Sequence, residues 1–221
     1  MDDLIADFHI HSKYSYDSLM SPEGIVKRAK KVGLTCVAIT DHNTIRGGIE
    51  GKKYERTYGV EVIVGAEIKT DCGDIIGLNL NDEIGVTGWR EVIKGIRLQG
   101  GTVVLPHPYR DHSHIEEISQ CVDFIEIWNA RSSPQENARA EQLAGHMNKK
   151  RMMGSDAHIY GEIGLVKSRV APESLELTEM LCRELSQPWD IQKSQIISHV
   201  KRGDFAALVI QGGSFLWRRI T

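Results

Sequence analysis

The sequence predicts an α/β fold in which a parallel sheet closes into a (β/α) barrel, and three observations carry that expectation. Short runs rich in Val and Ile alternate with longer stretches of helical period, the pattern of βα repeats. Helix start and stop residues flank several of those stretches. Histidines and acids recur directly after the apolar runs, where a barrel gathers the C-terminal ends of its strands at one mouth.

Strands are expected at residues 4–10, 35–40, 60–66, 75–80, 102–105 and 124–128, with a shorter one at 151–153. Ser21-Pro22-Glu23 opens a helix that Gly33 ends, with Ser as N-cap and Pro in the first turn. Residues 88–98 form a second helix closed by Gly100-Gly101, and Ser133-Pro134 opens a third that runs to about Lys149. Residues 43–58 have weaker helical character because of their glycines. Beyond residue 171, the segments 173–185 and 191–200 have helical spacing and are expected as helices on the outside of the barrel, the second ended by Gly203. No element is assigned to residues 205–221.

With 221 residues, 41% hydrophobic and 26% charged, the chain reads as one domain over 1–221 with a substantial core, and disorder is excluded as its main state. A net charge of -3, from 27 Lys and Arg against 30 Asp and Glu, excludes a polycation built for nucleic acid or membrane. Cys36, Cys72, Cys121 and Cys182 lie far apart with no CxxC pair, which points to reduced thiols and a cytoplasmic protein. The N-terminal residues lack the basic-then-apolar pattern of a signal segment, and no run approaches the roughly 18 apolar residues that span a bilayer.

The chemistry lies at the strand ends. His9 and His11 follow LIADF, Asp41-His42 follows CVAIT, Glu67 follows VIVGA, His107 follows TVVLP, and Asp156 and His158 follow RMMGS. On a strand, positions two apart share a face at roughly 6–7 Å between Cα atoms, a span that one or two ions bridge. Asp156 and His158 repeat the His9 and His11 spacing. A single strand histidine is more often a hydrogen-bonded core or rim residue. Repetition at strand after strand points instead to one metal site, and imidazole with carboxylate suits Zn, Fe or Mn.

In the order DFHIHSKYSYDS, ITDHN, GAE, HPYR, GSDAH, these segments resemble the polymerase and histidinol phosphatase (PHP) superfamily. The resemblance implies a distorted (β/α)7 barrel with C-terminal helices, up to three divalent ions, and metal-dependent phosphoester hydrolysis. Carried over by motif, His9, His11, Glu67 and Asp156 would hold one ion, and Asp17, His42 and His158 a second. His107 and a bridging Glu67 would hold the third. Relatives place a further histidine after the glutamate; the matching stretch here is Gly73-Asp74-Ile75-Ile76, so Asp74 would take that role and shift the position toward Mn or Mg. Three divalent ions carry more positive charge than Asp17, Glu67, Asp74 and Asp156 carry negative, so the loaded site attracts a phosphate dianion. Paired ions lower the pKa of a bound water toward roughly 7 and polarise the phosphoryl oxygens, so no Ser or Cys nucleophile is needed.

Glu67 and Asp156 are the expected catalytic carboxylates, and Arg131 either grips a phosphate oxygen with its fork or is solvated at a helix entry. Asp7 and Asp41 either orient a ligand imidazole or cap strand ends. Glu126 and Asn129 share the strand leading to the mouth. Tyr109, Arg110 and Lys69 fall near it by position; His112 and His114 read equally as a helix start, and His146 and His199 as surface positions on helices. Two other enzyme or binding classes compete: an amidohydrolase, whose barrel usually adds a bridging lysine where this chain has Glu67, and a non-catalytic metal-binding module, whose ligand set would be incomplete. The stretch from Asn129 to Met153 is too short for an inserted lid, and few basic residues flank the mouth. A small phosphorylated substrate, such as a nucleotide or metabolite phosphate, is therefore expected over exonucleolytic trimming of a strand.

Overall fold

The computed structural model describes residues 3–204. Nine strands form one sheet: β1 (Leu4–Ile10), β2 (Cys36–His42), β3 (Glu61–Thr70), β4 (Gly73–Leu78), β5 (Thr102–Leu105), β6 (Phe124–Asn129), β7 (Lys150–Gly154), β8 (Val166–Val170) and β9 (Leu177–Arg183). Their order is β7-β6-β5-β4-β3-β2-β1-β8-β9. The sheet curls into a nearly closed barrel because Ile10 bridges Ala157 just past β7. There the His11 N–H donates to the Ala157 carbonyl (2.9 Å) and the Ala157 N–H to the His9 carbonyl (3.2 Å). At the opposite end of β1, residues 4–6 pair antiparallel with β8.

Seven helices accompany the sheet: α1 (Pro22–Lys31), α2 (Arg46–Lys52), α3 (Glu55–Tyr58), α4 (Trp89–Leu98), α5 (Ile115–Cys121), α6 (Pro134–His146) and α7 (Pro188–Arg202). Local chemistry explains their ends. Ser21 Oγ accepts from the Gly24 N–H (3.1 Å) to open α1, Pro22 follows it, and Gly33 adopts φ +84 past the end. Ser133 and Glu136 form a reciprocal capping box on α6.

Packing falls into three clusters with different walls. One contains Ile25, Val26 and Ala29 of α1 against Val37, Ile39 and Val62. Another sets Trp89, Val92 and Ile96 of α4 against Ile68, Ile75 and Val103. The third draws on strand residues, with Ala6, Phe8, Cys36, Ala38, Ile63, Ile76, Leu78, Val104, Phe124, Met152 and Val170 at its centre. This last cluster is the barrel interior, filled by side chains from β1 to β8.

Three expectations need correction. β4 runs antiparallel to both β3 and β5, so the barrel is not a uniform βα repeat. Residues 173–185 are not a helix: β9 pairs antiparallel with β8, a strand whose alternating VKSRV pattern contains no apolar run. The closure at Ala157 leaves β8 at the sheet edge, where a second strand satisfies its backbone. Within β9 only Leu177 and Met180 pack against the core, too narrow a stripe for a helix. The C-terminal helix α7 also does not lie on the outside, because Ile191 and Gln195 line the cavity at the barrel mouth. The unassigned segment 205–221 lies outside the described residues.

Candidate metal centre

The interior faces lead directly to the site. Cys36 and Ala38 on β2 point into the strand-lined cluster, so the same alternation carries His42 to the inside two residues beyond Thr40. Ile63 on β3 sets the parity of Glu67 in the same way. On β4, Ile76 and Leu78 set the parity of Asp74, the second residue of the strand; the antiparallel direction is what brings the start of this strand to the mouth, with Asp74 paired to Lys69. β1 requires an extra device. Ala6 and Phe8 face inward, yet the register against β2 shifts between Asp7 and Ile10, and Ile10 joins the α1 layer. This bulge re-aims His9 and His11 into the interior beside Glu67.

All nine residues named from the sequence as metal ligands fall in adjoining groups of ligand atoms within 4.8 Å. In the first, Glu67 Oε2 lies 3.4 Å from His9 Nε2 and 3.3 Å from His11 Nε2; Asp156, which groups with His9 and His107 rather than with Glu67, places Oδ1 3.5 and 3.2 Å from the same two nitrogens. These imidazole–carboxylate distances match the roughly 3.3 Å expected between two ligand atoms that each lie 2.0–2.1 Å from a tetrahedral ion. In the second, Asp17 Oδ2 lies 3.2 Å from His42 Nε2 and 3.0 Å from His158 Nε2. The third joins Glu67 Oε1 to His107 Nε2 (2.9 Å) beside Asp74.

Buried polar atoms test whether a metal fits. His9 Nε2, His11 Nε2, Asp17 Oδ1 and His107 Nδ1 are buried without a hydrogen-bond partner among the described residues. Such atoms are costly unless something satisfies them, and imidazole nitrogens facing carboxylates are a donor set suited to divalent ions. The charges agree. Burial opposes charge on His9, but Asp156, Glu126 and Glu67 outweigh it and hold its pKa well above the ordinary value. Burial likewise disfavours charge on Glu67, yet His9 and His42 keep its carboxyl well below the usual range. His11 is pushed down to about 3 by burial and by the neighbouring His158 and His42. Asp74 is raised by burial and by Glu67.

A ring of partners orients the ligands. Glu126 Oε1 contacts His9 Nδ1 (3.0 Å), and Glu126 Oε2 accepts from the His107 N–H (2.8 Å) and from Asn129 Nδ2 (3.0 Å). Ser15 Oγ contacts His11 Nδ1 (3.1 Å) and donates to Asp41 Oδ1 (2.8 Å). Asp41 thus reaches an imidazole only through Ser15, and takes two further bonds from Ser12. Among the described residues Asp7 makes no hydrogen bond to an imidazole: Oδ1 accepts from the Ser155 N–H (2.9 Å), tying β1 to the segment beyond β7, and burial raises its pKa to about 7. Nothing in the HSKYSYDS pattern distinguishes Ser15 from its neighbouring serines. Glu162, which receives the His158 N–H (2.8 Å), carries no sequence signal at all.

Above the ligands lies a cavity of about 300 Å³ lined by Tyr16, Arg110, Arg131, Ile191 and Gln195 with several of the carboxylates and histidines. Arg110 donates to Asp156 Oδ2 (2.6 Å) and faces this space. Arg131 is engaged on every nitrogen: Nε donates to Glu162 (3.2 Å), one terminal nitrogen to Ser194 of α7, and the other lies 2.8 Å from His158 Nδ1. Lys69 is exposed, and its backbone N–H binds Asn43 Oδ1. Tyr109 lies under Arg139, His112 bridges the Asp74 and Arg110 carbonyls, and His114 pairs with Glu117.

Comparison with known proteins agrees with this geometry. Residues 7–185 match the PHP domain model, and the chain belongs to the PHP domain family. It is 52% identical over 116 residues to an uncharacterized protein of Methanocaldococcus jannaschii, covering 47% of this chain and 67% of that protein. It is 38% identical over 79 residues to the 5'-3' exoribonuclease of Haemophilus influenzae, covering 34% and 28%. The barrel superposes with a TM-score of 0.66 and 20% identity on a two-domain Bacteroides vulgatus protein containing a predicted PHP-like metal-dependent phosphoesterase, covering 76% of this chain and 58% of that one. Among the described residues, no helix is long and apolar enough to cross a membrane.

Proposed function

We propose that this protein is a metal-dependent phosphoesterase that holds two to three divalent ions, Zn, Mn or Fe, and hydrolyses a small phosphorylated substrate. The observation that carries the reading is that the orphaned His9 and His11 nitrogens each face two carboxylates, Glu67 and Asp156, at 3.2–3.5 Å beneath an arginine-lined cavity. When bound, the ions supply Lewis acidity toward phosphoryl oxygens and acidify the attacking water.

The chain's residues do the rest. His9, His11, Glu67 and Asp156 would hold the first ion, and Glu67 with His107 and Asp74 would hold a third. Asp17, His42 and His158 would hold the second. Arg110, anchored at one nitrogen by Asp156, binds a phosphate oxygen in the cavity. Arg131, held by Glu162 and by Ser194 of α7 beside His158, is assigned a positioning role in preference to the phosphate grip that the sequence offered as one of two readings. Glu126 and Ser15 fix the imidazole planes of His9 and His11.

A screen of phosphorylated metabolites with metal-reconstituted protein tests the reading. Turnover that requires added divalent ion supports it, and ion binding below one per chain defeats it. The resemblance to the Haemophilus exoribonuclease supports a second reading, trimming of single-stranded ends, which the same screen addresses with short oligonucleotides.

A further inference from the structure

Beside the metal-lined cavity lies a second one of about 340 Å³, which shares Tyr16, Asp17 and Gln195 with it and is otherwise lined by α7. Its α7 wall carries Ser194, Ser198, His199 and Arg202. We propose that this cavity is a leaving-group subsite for a substrate whose leaving group bears its own anion, with Arg202 as the anchor. The inference rests on the phosphoesterase reading.

Geometry places the anchor one ring away from His42. Tyr16 stacks on the ligand His42 at 4.5 Å and 10° between planes, and the Arg202 guanidinium carbon lies 3.7 Å from the centroid of the Tyr16 ring. Contact through the ring face holds a guanidinium while leaving its N–H edge for a planar anion. The neighbouring acid is already engaged, since Asp17 faces His42 and His158. His199 stands 3.7 Å from Asp204, and the Ser194 and Ser198 hydroxyls suit a hydroxylated group rather than an apolar one.

The wall is also tied down at both ends. Lys201 Nζ donates to the carbonyls of Lys13, Ser15 and Ser18 in the loop that carries Asp17, and Arg131 donates to Ser194 Oγ. Arg202 is therefore presented by an anchored helix beside the site. None of its neighbours in sequence marks it, because only the packing of α7 over the mouth brings it to Tyr16.

Two ligands that differ by one anion test the subsite without turnover: phenylphosphonate and 4-carboxyphenylphosphonate, titrated calorimetrically onto metal-loaded full-length protein. The carboxylate is expected to tighten binding about ten-fold, the order of one charge-assisted hydrogen bond. Arg202→Gln should remove that advantage and leave phenylphosphonate affinity intact, while Arg202→Lys should keep part of it. Equal affinities in the native protein, or an advantage that survives Arg202→Gln, would overturn the subsite. If Arg202→Gln disturbs α7 and loses both ligands, Arg202→Lys decides: a kept advantage supports the anchor, and a lost one with phenylphosphonate still bound refutes it. Competition by a bisphosphorylated sugar and by a single-stranded decamer separates a small-molecule source of the anion from the next phosphate of a strand; displacement by either one supports the subsite. Arg202-dependent binding without turnover of phenyl phosphate would sink the phosphoesterase reading and leave the subsite standing.

Discussion

Glu67 is the residue on which the site turns, because its two oxygens face different groups: Oε2 toward His9, His11 and His42, and Oε1 toward His107. Glu67→Ala should abolish metal-dependent phosphate release and lower the metal content while leaving the circular dichroism spectrum unchanged, since the side chain stands above the packed interior. Retained turnover would remove its bridging role. Asp74 supports a finer expectation. As a hard oxygen donor beside Glu67 and His107, Asp74→His should move the activating metal toward Zn, and Asp74→Ala should lose one ion by elemental analysis. Identical metal content and preference in all three forms would place Asp74 outside the centre.

At the scale of elements, α2 shows how closely a helix must sit to deliver the β2 end. A Cβ on Gly48 would lie 2.8 Å from the Val64 Cα, a backbone atom that cannot swing aside. Gly48→Ala gains about 1 kcal/mol of helix propensity but meets an overpacking cost of about 1–3 kcal/mol, so it should lower the urea midpoint. Gly145 on α6 is the contrast: its nearest neighbour is the flexible Arg151 terminus at 4.0 Å. Gly145→Ala should be neutral or stabilising by up to about 1 kcal/mol. Equal urea midpoints for the two variants would show that α2 does not rest closely on β3.

For the whole molecule, Asp17, Glu67, Asp74 and Asp156 converge at one mouth, so ions that bind the folded chain and not the unfolded one must stabilise it. Chelation should lower the thermal midpoint, and readdition of Mn or Zn should restore it; a midpoint indifferent to both would mean that the centre does not load. The proposed small substrate makes a further prediction at this scale. With Arg110 lining the first cavity and Arg202 the second, few phosphates are neutralised, so hydrolysis of a mononucleotide should change little between low and moderate salt. Processive digestion of a decamer with a steep salt dependence would favour the strand-trimming reading.

The linear chain was enough for the barrel class, because apolar runs of strand length and their helix caps are local signals, and it displayed the candidate ligands, because histidines and acids at strand ends stand out from any core requirement. Only the tertiary structure decided the rest. The bulge that turns His9 inward, the reversed β4 that lifts Asp74 to the mouth, and the Ser15 and Glu126 contacts all depend on partners distant in sequence. The 177–183 segment became a strand for the same reason: its spacing permits helix or strand, and the open edge of β8 selects the strand. α7 was legible as a helix but not as a wall of the site, since Lys201 and Arg131 hold it there through carbonyls and a hydroxyl that no periodicity records.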